Sequence, residues 1–165
     1  MAVNTIAGSA VECVVNWDAI VGESPLWHPK ERRLYWVDIQ GKKIHRFDPA
    51  TRINETFDLP EIVTCLAFRN AGGLIVTLRK DIAFFDPATG QLDKLTTVEK
   101  DKPHNRFNDG RVDPQGRFWA GTMGDKNWDQ PVGTLYRFDY DQTVTPMQTN
   151  VICSNGTAWS PDGTT

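Results

Sequence analysis

Phe47-Asp-Pro-Ala-Thr51 recurs as Phe85-Asp-Pro-Ala-Thr89, and this repeated pentapeptide decides how the chain is read. Asp-Pro presets a chain reversal, and an aromatic residue just before it closes an apolar run, so each copy marks the end of a strand and the turn that follows. A weaker echo, Tyr136-Arg-Phe-Asp139, stands one repeat further on. Ahead of each copy a turn leads into an apolar strand: Trp27-His-Pro-Lys-Glu-Arg before Leu34, Asn70-Ala-Gly-Gly before Leu74 and Asp113-Pro-Gln-Gly before Phe118. A fourth such start is Trp159-Ser-Pro-Asp-Gly163.

Working outward from these turns, short runs rich in Val, Ile, Phe, Tyr and Trp read as strands: 33–39, 44–47, 65–68, 73–78, 82–85, 117–121 and 134–138. No window of similar length has helical periodicity. A strand-rich unit recurring at about 40 residues is what a four-stranded propeller blade requires, because no blade buries both faces without neighbours. The chain therefore reads as one all-β domain, a β-propeller of about three blades (22–60, 61–100 and 105–151) plus the start of a fourth at 152–165. The alternative is a β-sandwich whose turns are similar by coincidence. Asp125-Lys-Asn-Trp-Asp-Gln-Pro-Val132 interrupts the third unit and is too polar for a core strand, so it reads as a loop over one face.

Composition narrows the function classes. The 165 residues are 39% hydrophobic and 24% charged, enough for one buried core, with a formal charge of -3 that is scattered rather than clustered. Nucleic acid is not an expected partner, since no basic cluster is present to neutralise phosphates. Cys13, Cys65 and Cys153 are odd in number and far apart, which argues against a disulfide framework or a zinc cluster and for a reducing, cytoplasmic setting. Met1 to Val15 lacks a basic leader segment, and no run approaches the roughly 18 apolar residues of a membrane span. Neither a membrane nor a protein partner is indicated.

Three stretches place polar side chains where a blade would begin. In Gly22-Glu23-Ser24-Pro25 a carboxylate precedes an apolar strand; it is either a solvated turn residue or one that is paired or bound to a cation. In His104-Asn-Arg-Phe-Asn-Asp-Gly110, read as standing just ahead of a hairpin at 112–120, the period of two puts Arg106 and Asn108 on one face, where they could fork onto hydroxyls or a carboxylate. Asp109 and Gly110 also suit an ordinary capped turn. In Ser154-Asn155-Gly156, just before an apolar strand expected at 157–159, the Asn155 amide oxygen suits a hard cation, although Asn-Gly taken alone is more often an ordinary turn. Recurrence of the three at equivalent places is what favours a shared site.

At these residues the chain resembles the senescence marker protein/regucalcin and gluconolactonase family. The motifs that carry the resemblance are Gly22-Glu-Ser-Pro-Leu-Trp27, Leu34-Tyr-Trp-Val-Asp-Ile39, Arg106-Phe-Asn-Asp-Gly110, Gly116-Arg-Phe-Trp-Ala-Gly-Thr-Met123 and Ser154-Asn-Gly-Thr-Ala-Trp-Ser-Pro-Asp-Gly163. The resemblance implies a six-bladed propeller, here truncated, with 11–17 a strand of the closing blade. It implies one divalent metal ion (calcium, zinc, magnesium or manganese) in the central channel and hydrolysis of an aldonolactone of the gluconolactone type. Glu23 and Asn155 match metal ligands, and Arg106 and Asn108 match substrate-binding residues. Asp125 or Lys126 falls near an acidic substrate contact of some members. The catalytic residue is unknown, since the family's base, an Asp, would lie beyond Thr165, and the 165 residues alone are expected to be inactive. Two other readings stay open: a calcium-binding, regucalcin-like protein without relevant hydrolysis, and a propeller used as an interaction platform.

Overall fold

In a computed structural model residues 11–163 are described; residues 1–10, part of the stretch read for a leader, and residues 164–165 lie outside that range. Among the described residues there is no helix, and twelve strands form three four-stranded antiparallel sheets. The first sheet holds β1 (Gly22–His28), β2 (Arg33–Asp38), β3 (Lys43–Asp48) and β4 (Ile53–Asp58). The second holds β5 (Cys65–Phe68), β6 (Leu74–Thr77), β7 (Asp81–Phe85) and β8 (Leu92–Thr97). The third holds β9 (Asn105–Val112), β10 (Phe118–Gly124), β11 (Gly133–Phe138) and β12 (Val144–Val151). Each is a meander in chain order, and β5 lies between β1 and β9. The first strands thus line the inside of an arc, as in consecutive propeller blades.

The alternation of side chains explains why three sheets stack. In the second sheet, Leu66, Leu74, Val76, Ala83 and Phe85 face the first sheet, where they join Tyr35, Val37 and Ile44 in one cluster. Their neighbours Cys65, Ala67, Ile75 and Ile82 face the other way and join Phe107, Phe118, Ala120 and Phe138 of the third sheet. With both faces covered, β6 is buried at every position, which is why Leu74-Ile-Val-Thr77 reads as an unbroken apolar run rather than an alternation.

The repeated pentapeptide makes the same turn twice. Asp48 Oδ1 accepts from the Ala50 amide at 2.8 Å and Oδ2 from the Thr51 hydroxyl at 2.9 Å. Asp86 does the same with Ala88 (2.8 Å) and Thr89 (3.0 Å). Phe47 and Phe85 anchor these turns in the core.

Several elements differ from expectation. The outer strands β4, β8 and β12 carry no clear sequence pattern, because they lie on the rim, where most positions face water at least in part. His104–Gly110 does not stand ahead of a hairpin; 105–112 is itself the innermost strand of the third sheet. Residues 157–159, expected as an apolar strand, form none, and neither does 11–17. No described strand offers either segment a ladder of hydrogen bonds.

Residues 11–21 instead lean on the outer face of the first sheet. Asp38 accepts from the Ile20 and Val21 amides at 3.1 and 3.0 Å. Trp17 rests edge-on against His45 (ring centroids 4.8 Å apart), which stacks on Trp36 across the β2–β3 pair at 3.7 Å. Burial of His45, chiefly, pushes its imidazole down to about 4, against the opposing charges of Asp38 and Asp58. An unfolded His protonates near about 6.5, so this contribution to stability is complete above that pH and is lost as pH falls through the folded value. Urea unfolding of the intact gene product should show a fall in stability from pH 6.5 towards about 4, and His45→Phe should remove part of it. An unchanged pH profile in the variant would rule this out.

Candidate functional site

The turns that follow β1, β5, β9 and the 155–159 segment provide a common register. His28 O accepts from the Arg32 amide, and Arg69, Asp113 and Ser160 carbonyls accept from Gly72, Gly116 and Gly163. Counting back from these turns, Glu23, Thr64, Asn108 and Asn155 occupy equivalent places. Three of the four are candidates named from sequence. The fourth, Thr64, carries no such signal; it is buried and exchanges a 2.7 Å hydrogen bond with the Thr77 hydroxyl.

Successive segments touch along this ring. Ser24, at positive φ in a β-bulge of β1, accepts the Leu66 amide of β5 through its hydroxyl at 3.2 Å. Gly110 of β9 leaves no room for a side chain, since a Cβ there would stand 2.9 Å from Cys65 Sγ of β5. The Asp109 amide donates to Ser154 O at 3.4 Å, and the Asp109 carboxylate accepts the Thr157 amide at 3.1 Å. Asp109 is therefore no local turn cap; it fastens the 153–159 segment to β9. Gly121 of β10 admits the same segment, as a Cβ there would overlap the Ser154 side chain.

Arg106 and Asn108 meet as the strand period predicts. Arg106 Nη1 donates to Asn108 Oδ1 at 2.8 Å and Arg106 Nε to Asp125 Oδ1 at 2.9 Å. Asn108 Nδ2 in turn donates to Ser154 O at 2.8 Å, next to Asn155. One hydrogen-bonded line thus runs Asp125–Arg106–Asn108–Ser154, from the insertion loop across β9. Asp125 also accepts from Arg79 Nη1 at 2.6 Å. Burial alone would raise the Asp125 carboxyl, but the hydrogen bond from Arg79 and the charges of both arginines outweigh it and hold it below the usual carboxylate range. Arg79, in the turn between β6 and β7, was not legible in the sequence as a site residue; a lone turn arginine reads as solvated. Lys126 makes no hydrogen bond to this line among the described residues.

Glu23 is exposed and on inner strand β1, separated from β9 by β5, and no hydrogen bond among the described residues joins its side chain to Arg106, Asn108 or Asn155. Asn155 is also exposed, and among the described residues its Oδ1 accepts only the Gly156 amide, at 3.1 Å. Asn108 Oδ1 keeps one lone pair beyond the bond from Arg106. These groups fit a hard divalent cation in kind, as all are oxygen donors and Glu23 is not neutralised by an ion pair among the described residues. They fall short in number, since such ions take about six to eight oxygens, and the described residues contain no cluster of three His, Cys, Asp or Glu side chains.

Residues 21–165 match the SMP-30/Gluconolactonase/LRE-like region. The chain is 44% identical over 153 residues to a 6-deoxy-6-sulfogluconolactonase of Pseudomonas putida, covering 92% of this chain and 52% of that protein. It is 37% identical over 156 residues to regucalcin of Xenopus laevis, with the same coverage. Among solved structures, a calcium-binding protein, regucalcin, of Agrobacterium tumefaciens superposes with a TM-score of 0.85 at 29% identity, over 92% of this chain and 50% of that one. The chain spans about half the length of the curated relatives it matches.

Proposed function

The chain belongs to the SMP-30/gluconolactonase/LRE-like family, and from that premise we propose that the protein containing it hydrolyses a sugar lactone with the help of one divalent metal ion. Relatives named as lactonases support lactone opening as an activity of the family. The observation that carries the reading to these residues is the line Asp125–Arg106–Asn108–Ser154 on the innermost strand of the third sheet. It holds two directional polar side chains rigid at the inside of the arc, as the recognition of a polyhydroxylated ring requires.

In this reading Arg106 and Asn108 grip ring hydroxyls, and Glu23 and Asn155, with the remaining lone pair of Asn108 Oδ1, hold the cation. A bound divalent ion would polarise the ester carbonyl and lower the pKa of water. The residues of this chain position the ring and exclude alternative poses; no residue among them is assigned as the general base. A reducing, cytoplasmic setting fits the three free cysteines, Cys13, Cys65 and Cys153.

The test is opening of gluconolactone by the intact gene product after chelation and then re-addition of calcium, zinc, magnesium or manganese. We expect turnover that chelation abolishes and a metal restores, and little turnover from residues 1–165 alone. Tight calcium binding without lactone opening would favour the second reading, a calcium-binding protein, which the regucalcin names support. Neither binding nor turnover would leave only the interaction-platform reading.

A further inference from the structure

We infer that Arg79 is a specificity-determining residue that recognises an anionic substituent on the lactone, away from the reacting ester; the inference rests on the lactonase reading above. Arg79 lies in the β6–β7 turn, yet it reaches across to Asp125, which Arg106 also holds. The three groups Arg79, Arg106 and Asp125 together carry a net positive charge, since two guanidinium groups share one carboxylate, and the depressed pKa of Asp125 keeps that carboxylate ionised. A neutral polyol needs no such charge, since amides and one arginine suffice to bind hydroxyls.

The donors are also unspent. Among the described residues Arg79 uses only Nη1 in a side-chain hydrogen bond, and Arg106 leaves Nη2 unused. The two are not equally accessible: the Arg79 side chain is 43% exposed and that of Arg106 14%. Arg106 is thus set back beside Asn108, whereas Arg79 presents a planar fork at the rim, a shape that matches a carboxylate or sulfonate. Its place relative to Asn108 is fixed by the backbone, because the Phe107 amide donates to Arg79 O at 2.8 Å. The nearby acid Glu61 pairs with Lys94 at 2.6 Å and accepts the Arg79 backbone amide at 3.3 Å, leaving the Arg79 guanidinium to Asp125.

The experiment compares kcat/KM of the intact gene product for gluconolactone, for its 6-deoxy-6-sulfo analogue and for glucarolactone, which carries a carboxylate at the far end. We expect a preference for a charged lactone, and the two charged substrates tell sulfonate from carboxylate recognition. Arg79→Gln should reduce that preference by about tenfold or more, mainly through KM, as loss of one charge-assisted contact implies. Arg79→Lys should keep part of it. High salt should erode it in the wild type, a readout that does not depend on any variant folding. A wild type without preference, or an Arg79→Gln ratio equal to the wild-type ratio, overturns the inference. If no lactone is opened at all, the lactonase reading fails separately. Calorimetric titration with 6-deoxy-6-sulfoglucose against glucose then decides: tighter, Arg79-dependent binding of the charged sugar upholds the inference, and any other result overturns it.

Discussion

Replacing Phe107 with alanine is expected to destabilise the intact gene product by about 3–5 kcal/mol, the range for truncating a buried aromatic residue. Phe107 is completely buried in the interface between the second and third sheets, with Cys65, Ala67, Ile75 and Phe118. Both sheets are formed by β-ladders, so neither can shift far enough to fill the space without breaking hydrogen bonds. The same substitution reaches the site. Phe107 stands between Arg106 and Asn108 on β9, and its burial is what turns those two side chains to the opposite face. Urea unfolding measures the effect, with Phe107→Leu as a milder control. A loss below about 1 kcal/mol would mean that the interface relaxes freely, contrary to the packing seen here.

The second large effect is expected at Glu23. In the intact gene product Glu23→Gln should weaken divalent-cation binding by at least about tenfold, since even loss of a residue behind a ligand costs 10–100-fold, and lactone opening should fall with it. The substitution keeps the size and one oxygen but removes the only carboxylate among the proposed ligands Glu23, Asn108 and Asn155. Structural damage should be small, because Glu23 is exposed and its side chain makes no hydrogen bond or ion pair among the described residues. Calorimetric titration with calcium and an unfolding curve separate the two outcomes. Unchanged affinity with unchanged stability would remove Glu23 from the ligand set.

Much of the arc was legible because the middle strands of the sheets are largely buried. Arg33–Asp38 and Leu74–Thr77 carry apolar runs, Lys43–Asp48 and Gly133–Phe138 carry aromatic and branched residues between turns, and the Phe-Asp-Pro-Ala-Thr turns mark their spacing. The rim strands were not legible, since Ile53–Asp58 and Leu92–Thr97 alternate with water rather than with a core and read as polar loop. The pairing of Arg106 with Asn108 followed from the strand period alone, and the structure joins them at 2.8 Å. Their further partners could not follow, because a period describes neighbours in one strand and says nothing of residues brought in from another sheet.

The amino-acid sequence by itself thus determined the all-β class, the repeating blade and the polar residues at the starts of inner strands. Those properties reside in local alternation, turn chemistry and spacing, which each segment carries with it. Only the tertiary structure decided that Arg79 and Asp125, 46 positions apart in the chain, share an ion pair at 2.6 Å. It also decided that Asp109 fastens the Thr157 amide instead of capping its own turn, and that Thr64 occupies the place that Glu23, Asn108 and Asn155 hold in the other units. The physical reason is the same in each case. Charge and hydrogen-bond partners are chosen by distance in space, and that distance is set by how the faces of three sheets bury one another.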